Sequence, residues 1–157
     1  MSRFKELSDD KNTIVMRLLE SQNICKALWY NVSDFLDQPD IDDPSKLVYK
    51  KIFPYNFIPE TNSEQSTYIT MGFGKFKLVG ASFKSGLVRF RIFAHVDLHR
   101  TDYGLLRCDF IAGEIDKLIN NERGIGIGKP QFYNMDELYV NNSYNGLIID
   151  YKLYEWN

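Results

Sequence analysis

Cysteine is almost missing from this chain, with two in 157 residues, Cys25 and Cys108. Thiols that far apart form neither a disulfide framework nor a metal-ligand spacing. Each falls in a helical pattern, so both read as small buried hydrophobes suited to a reducing compartment. Histidine is equally scarce, at two residues. No stretch approaches the ~18 consecutive apolar residues of a membrane span, and MSRFKELSDDKN at the N-terminus lacks the apolar run of a signal peptide. A soluble chain is expected. An excess of charge is missing too: 19 basic against 21 acidic residues give a net charge of -2. No global field therefore draws the chain to nucleic acid or an anionic membrane, although a local basic face is compatible with that balance.

What is present is aromatic surface. Ten Tyr and 11 Phe help bring the aromatic content to 15%, in a chain that is 44% hydrophobic and 25% charged. This is the composition of a globular protein, long enough for one domain, 1–157, with a real core. Aromatics carry core and interface energy, so more than one surface to bury is indicated.

The first periodic segment opens after Ser8, with Asp9 and Asp10 in its first turn. Ile14, Leu18, Cys25 and Leu28 fall along one helical stripe, with a break expected at residues 21–23. The acidic turn around Asp37, Asp40, Asp42 and Asp43 lacks the spacing of a calcium loop and reads as solvated. Residues 47–53 read as a strand ended by Pro54. Residues 56–66, NFIPETNSEQS, read as a mobile loop or docking arm. Residues 67–79 return to extended structure. The clearest strand spans 87–98, where Val88, Phe90, Ile92, Ala94, Val96 and Leu98 alternate with Arg89, Arg91, Phe93, His95 and Asp97.

A second helix is expected from Thr101 or Asp102 to about Glu122, with Cys108, Ile111, Ile115 and Ile119 on its core stripe. At about 100° per residue, Leu106 and Phe110 leave from nearly the opposite side, with Gly113 close by. Either a loop covers them or they form a subunit contact. RGIGIGKP, residues 123–130, follows a helix rather than a strand and lacks both nucleotide-loop spacings, so it reads as a helix stop, with Gly124 as a left-handed cap. The tail is extended and aromatic, with Asn145-Gly146 as a turn signal before a last sheet strand. Helix, strands, helix and strand in that order give an α+β domain: a mainly antiparallel sheet with helices on one face.

One constellation carries chemistry. His95, Asp97 and His99, in HVDLH, share one side of a strand that stays regular, and two imidazoles with a carboxylate can hold a divalent metal. Alternate residues on a flat strand do not readily converge on one ion, and His99 lies where the strand should end. A polar sheet face is the competing reading, with no metal and no cofactor. There is no G-x-S-x-G elbow, no Cys with a neighbouring His and no nuclease-type Glu-x-Lys pair at a strand end. A non-enzymatic role is expected.

Two stretches, DPSKLVYKKIFPYNFIPET (43–61) and HVDLHRTDYGLLRCDFIAGEIDKLIN (95–120), resemble segments of small neck and tail proteins of double-stranded DNA phages. The element order is similar to that of the tail terminator or tail-completion family, whose members form rings joining tail tube to head. The resemblance implies a structural virion protein made in the host cytoplasm and located in the tail or neck. It implies a hexameric ring that contacts the tail tube on one side and a neck protein on the other. DNA would pass through its channel without specific binding. Leu106, Phe110 and Gly113 would then lie at a subunit interface, and Arg89 and Arg91 on a lumen or docking face. The alternatives are another neck role such as stopper or adaptor, a metal-dependent phosphodiesterase or nuclease using His95, Asp97 and His99, and a monomeric adaptor docking through its arginines or aromatic last strand.

Overall fold

The computed structural model describes residues 4–156. Three helices, α1 (Phe4–Glu20), α2 (Gln22–Trp29) and α3 (Arg107–Ile119), lie on one face of a sheet. The strands are β1 (Ile52–Phe53), β2 (Thr67–Val79), β3 (Phe83–His95), β4 (Gln131–Asn141) and β5 (Tyr144–Trp156). Their order is β1-β2-β3-β5-β4, antiparallel throughout except for β1 against β2. The α+β architecture expected from the pattern is the one observed.

The period-3.6 and period-2 stripes meet in the core. Ile14 and Leu18 of α1, Leu28 of α2 and Ile111 and Ile115 of α3 pack in one cluster with Met71, Phe90, Ile92 and Ile149 of the sheet. Ser21 breaks the helix as expected: its hydroxyl accepts from the Ile24 N–H at 3.3 Å and starts α2. On the other face a second cluster of Phe53, Tyr68, Phe93 and Tyr144 supports residues 56–66. Phe57 stacks on Phe53 at 4.2 Å. Tyr144 donates to the Glu64 carbonyl at 2.9 Å, and Asn141 to that of Pro59 at 2.9 Å. The polar segment is thereby fastened to the β4–β5 turn of its own molecule.

Several boundaries differ from the sequence reading. Helix α1 begins ahead of Ser8, because Leu7 already belongs to the buried stripe. Residues 47–53 are mostly not strand: a 3-10 turn covers Pro44–Leu47, Val48 makes an isolated bridge to Ile52, and only Ile52–Phe53 pair as a strand, with Ile69 and Thr70. The long strand starts earlier and stops earlier, at His95, where the His95 imidazole accepts from the Asp97 N–H and Val96–Leu98 tightens into a 3-10 turn. Helix α3 starts at Arg107, after a loop in which the Thr101 hydroxyl is bonded to the Leu105 carbonyl at 2.5 Å. It ends at Ile119, and Asn121 (φ 60°), not Gly124, takes the left-handed position beyond it. The last region is two strands rather than one. The turn falls at residues 142–143, and Asn145-Gly146 sit inside β5. Gly146 is needed there for closeness, since a Cβ would lie 1.9 Å from the Ile92 carbonyl oxygen.

Arg107 was not singled out by any motif, yet it joins three elements. Only 1% exposed, it donates to the carbonyls of Leu98 (2.9 Å), Ala27 (2.8 Å), Tyr30 (3.0 Å) and Val32 (2.7 Å). Its guanidinium lies 4.6 Å from the Phe35 ring centre. Four carbonyl dipoles, two at or just beyond the C-terminal end of α2, stand in for a counter-ion. Burial nevertheless presses its pKa below the usual arginine value.

Candidate functional site

The sheet has one uncovered margin. β4 pairs only with β5, from Gln131↔Lys152 to Asn141↔Tyr144, and its outer edge has no strand beside it among the described residues. The helical layer stops one strand short. Ile149 on β5 is 4% exposed beneath the helices, whereas its neighbour Met135 on β4 is 57% exposed. Phe132, Tyr133 and Tyr139 are also mostly in solvent. Long edges with this much apolar surface are protected in free-standing proteins by charge, proline or cover. Asp136 and Glu137, with two backbone irregularities at residues 132–134 and 139–141, are protection present here.

Between β4 and the start of α3 runs a groove of about 720 Å³, lined by Leu106, Asp109, Met135, Glu137, Tyr139 and Leu147. His99 sits in it, with Nε2 2.5 Å from Asn145 Oδ1 and Nδ1 buried without a partner. Leu106, read from sequence as a helix-face residue, is instead the residue before α3 and half exposed on this groove. Phe110 goes elsewhere: it meets Phe35 edge-on at 5.3 Å, so the segment after α2 partly covers it. Gly113 is exposed on α3, and a Cβ there would meet nothing within 4 Å. The three residues read together as an interface thus lie in separate surroundings.

The opposite side of the sheet ends differently. β1 covers only Ile69 and Thr70, so most of β2 has no outer strand among the described residues. Lys75 and Lys77 stand exposed along it. One margin is aromatic with Asp136 and Glu137, and the other carries lysines.

The histidines do not converge. His95 Nδ1 is 3.6 Å from Asp97 Oδ2, whose carboxylate also accepts from Gln65 Nε2 at 2.9 Å, while His99 turns to Asn145. Among the described residues no three His, Cys, Asp or Glu side chains are grouped to hold a metal ion. Burial raises the thiol of Cys25 to about 11 and that of Cys108 to about 12, so both remain protonated at neutral pH. Lys51, its pKa lowered by burial with Glu64 opposing, bonds Ser66 and helps hold the 56–66 segment. In the glycine loop, the Gly126 N–H donates to Asp10 Oδ1 at 3.2 Å and the Ile127 N–H to the Tyr154 carbonyl at 2.8 Å. Those amides are engaged within the molecule instead of facing a phosphate. Arg89 forms a two-pronged pair with Asp150, at 2.8 and 2.9 Å, while Arg91 beside it has no such partner among the described residues.

The described residues thus form an α+β domain with an unsealed aromatic sheet edge beside a groove. The YomW family model matches residues 21–153, and the chain belongs to the YomW family, a phage-associated one. No curated protein and no solved structure matches it.

Proposed function

We propose that this protein is a structural subunit of a phage virion, a tail terminator that forms a ring at the head–tail junction, caps the tail tube and binds the neck. The observation that carries this reading is the β4 edge. An 11-residue strand with exposed Phe132, Tyr133, Met135 and Tyr139 flanks a groove entered by Leu106. Such a surface is suited to burial against another chain. The two margins of the sheet are unlike, one aromatic and acidic, the other basic. Joining unlike edges is a heterologous contact, and repeated heterologous contacts close into rings when the rotation permits. The ring is hexameric by resemblance to tail terminators, with tail tube and neck proteins on its two sides and DNA passing through without specific binding. It acts without catalysis, in the virion.

The test is the mass of the purified protein by sedimentation across a concentration range. A concentration-dependent multiple of the 18.4 kDa chain is expected, and Tyr139→Glu or Leu106→Glu reduces it while leaving the melting curve in place. A strict monomer at all concentrations overturns self-assembly and gives the edge to a strand of another protein, as in an adaptor.

A further inference from the structure

We propose that the open face of the sheet holds a phosphate-type oxyanion, in a site built by Arg91, Lys75 and Asn56 over the bare strand at Gly72 and Gly74. This face is the one turned away from the helices; Lys75 also belongs to the basic β2 margin of the ring reading, so the substitutions that test the site leave Lys75 in place and assembly is read separately by sedimentation.

The charges come first. Arg89 and Arg91 leave β3 on the same face. Asp150, 1% exposed, gives both carboxylate oxygens to Arg89. Arg91 has no ion pair of its own among the described residues, while burial and then the neighbouring Arg89 disfavour its charge, with the shared Asp150 opposing. Lys75, held in a left-handed conformation (φ 58°) at the irregularity between Gly74 and Lys77, lines the same groove. Three cations therefore line one groove, and the carboxylate beside the two arginines is already held by Arg89.

The space comes second. Gly72 pairs with Arg89 and Gly74 with Leu87, and a Cβ at either glycine would meet nothing within 4 Å. Neither glycine is demanded by packing, and their missing side chains leave a groove of about 280 Å³ lined by Asn56, Lys75, Leu87, Arg89 and Arg91. Directly across from Arg91 in register, the Thr70 hydroxyl is buried with no hydrogen-bond partner. Thr70 is not part of the groove lining, so the cost an anion there can relieve is that of the unpaired guanidinium. A tetrahedral, multiply charged oxyanion can accept from the Arg91 fork, the Lys75 ammonium and the Asn56 amide from separate directions, where a planar carboxylate offers two oxygens.

Titration calorimetry with inorganic phosphate, and separately with a short duplex DNA, tests this on the full chain. Arg91→Ala removes the unpaired cation and keeps the Arg89–Asp150 pair. Gly72→Val fills the groove and keeps every charge. Lys117→Ala, at an exposed cation on α3, controls for general charge. Saturable phosphate binding, weakened about tenfold or more by Arg91→Ala and by Gly72→Val but not by Lys117→Ala, supports a site for the free anion. The same pattern with the duplex alone, falling with added salt, supports the site with backbone phosphate as the source. Absence of saturable binding to both probes, or equal weakening by all three substitutions, overturns the proposal.

Discussion

Raising the pH from 5.5 to 8.5 should loosen α1 from the end of β5, and Glu155 is the reason. Glu155 is 3% exposed on β5, and Asp10 comes down on it from α1. Asp10 Oδ2 and Glu155 Oε1 are both buried with no hydrogen-bond partner, and the two carboxyl groups act on each other's protonation. Two carboxylate oxygens bond only if one carboxyl keeps its proton. Burial first, then Asp10 and the charge of Glu6, raise the Glu155 pKa from 4.5 to about 8, with Lys84 opposing. The folded state thus binds this proton more tightly than the unfolded one. The contribution is fully present below pH 4.5 and is lost as pH rises through about 8. At roughly 1.4 kcal/mol per unit, the whole shift corresponds to about 5 kcal/mol. Water entry and movement of Lys84 reduce it, and we expect about 2–3 kcal/mol, or about 5–10 °C in melting temperature. Glu155→Gln keeps a donor for Asp10 at every pH, so its melting temperature should be nearly flat over the range where the parent falls. The assay is paired thermal melts at closely spaced pH values. Equal slopes for parent and Glu155→Gln would refute the shared-proton account.

Other substitutions probe the remaining arguments. Arg107→Lys leaves too few donors for four carbonyls and should cost about 3–5 kcal/mol in urea unfolding, whereas a loss below about 1 kcal/mol would remove its role as a joint between elements. Gly146→Ala drives a Cβ to 1.9 Å from the Ile92 oxygen and should either part β3 from β5 locally or prevent folding. Native-like melting of that variant would contradict the close approach. Tyr139→Glu places a charge on the open edge and should lower the assembled mass in sedimentation with little change in melting, while an unchanged mass would clear β4 of a role in assembly.

Residues that alternate or recur every three to four positions were legible. Val88, Phe90, Ile92 and Ala94 on β3, and Ile111, Ile115 and Ile119 on α3, are all buried as their spacing requires. The failures share a cause. Residues 47–53 and the Asn145-Gly146 pair were read by local propensity, but neighbours overrule propensity: β1 finds only two partners on β2, and Gly146 is wanted for contact with β3, not for a turn. Arg107 stayed hidden because its partners are backbone carbonyls up to 80 residues away, which no side-chain motif encodes. Leu106 drew notice from sequence for a helix-face position it does not occupy, and it still lies on the groove beside β4.

Hydrophobic periodicity by itself determined the class of fold and the identity of most of the core, because burial of a regular stripe is a property of spacing. Which strands lie at the margins, and where the helical layer stops, only the tertiary structure decided. A strand facing solvent and a strand facing a missing neighbour have the same local sequence, and the difference appears only when the sheet order leaves β4 outermost with no helix above it.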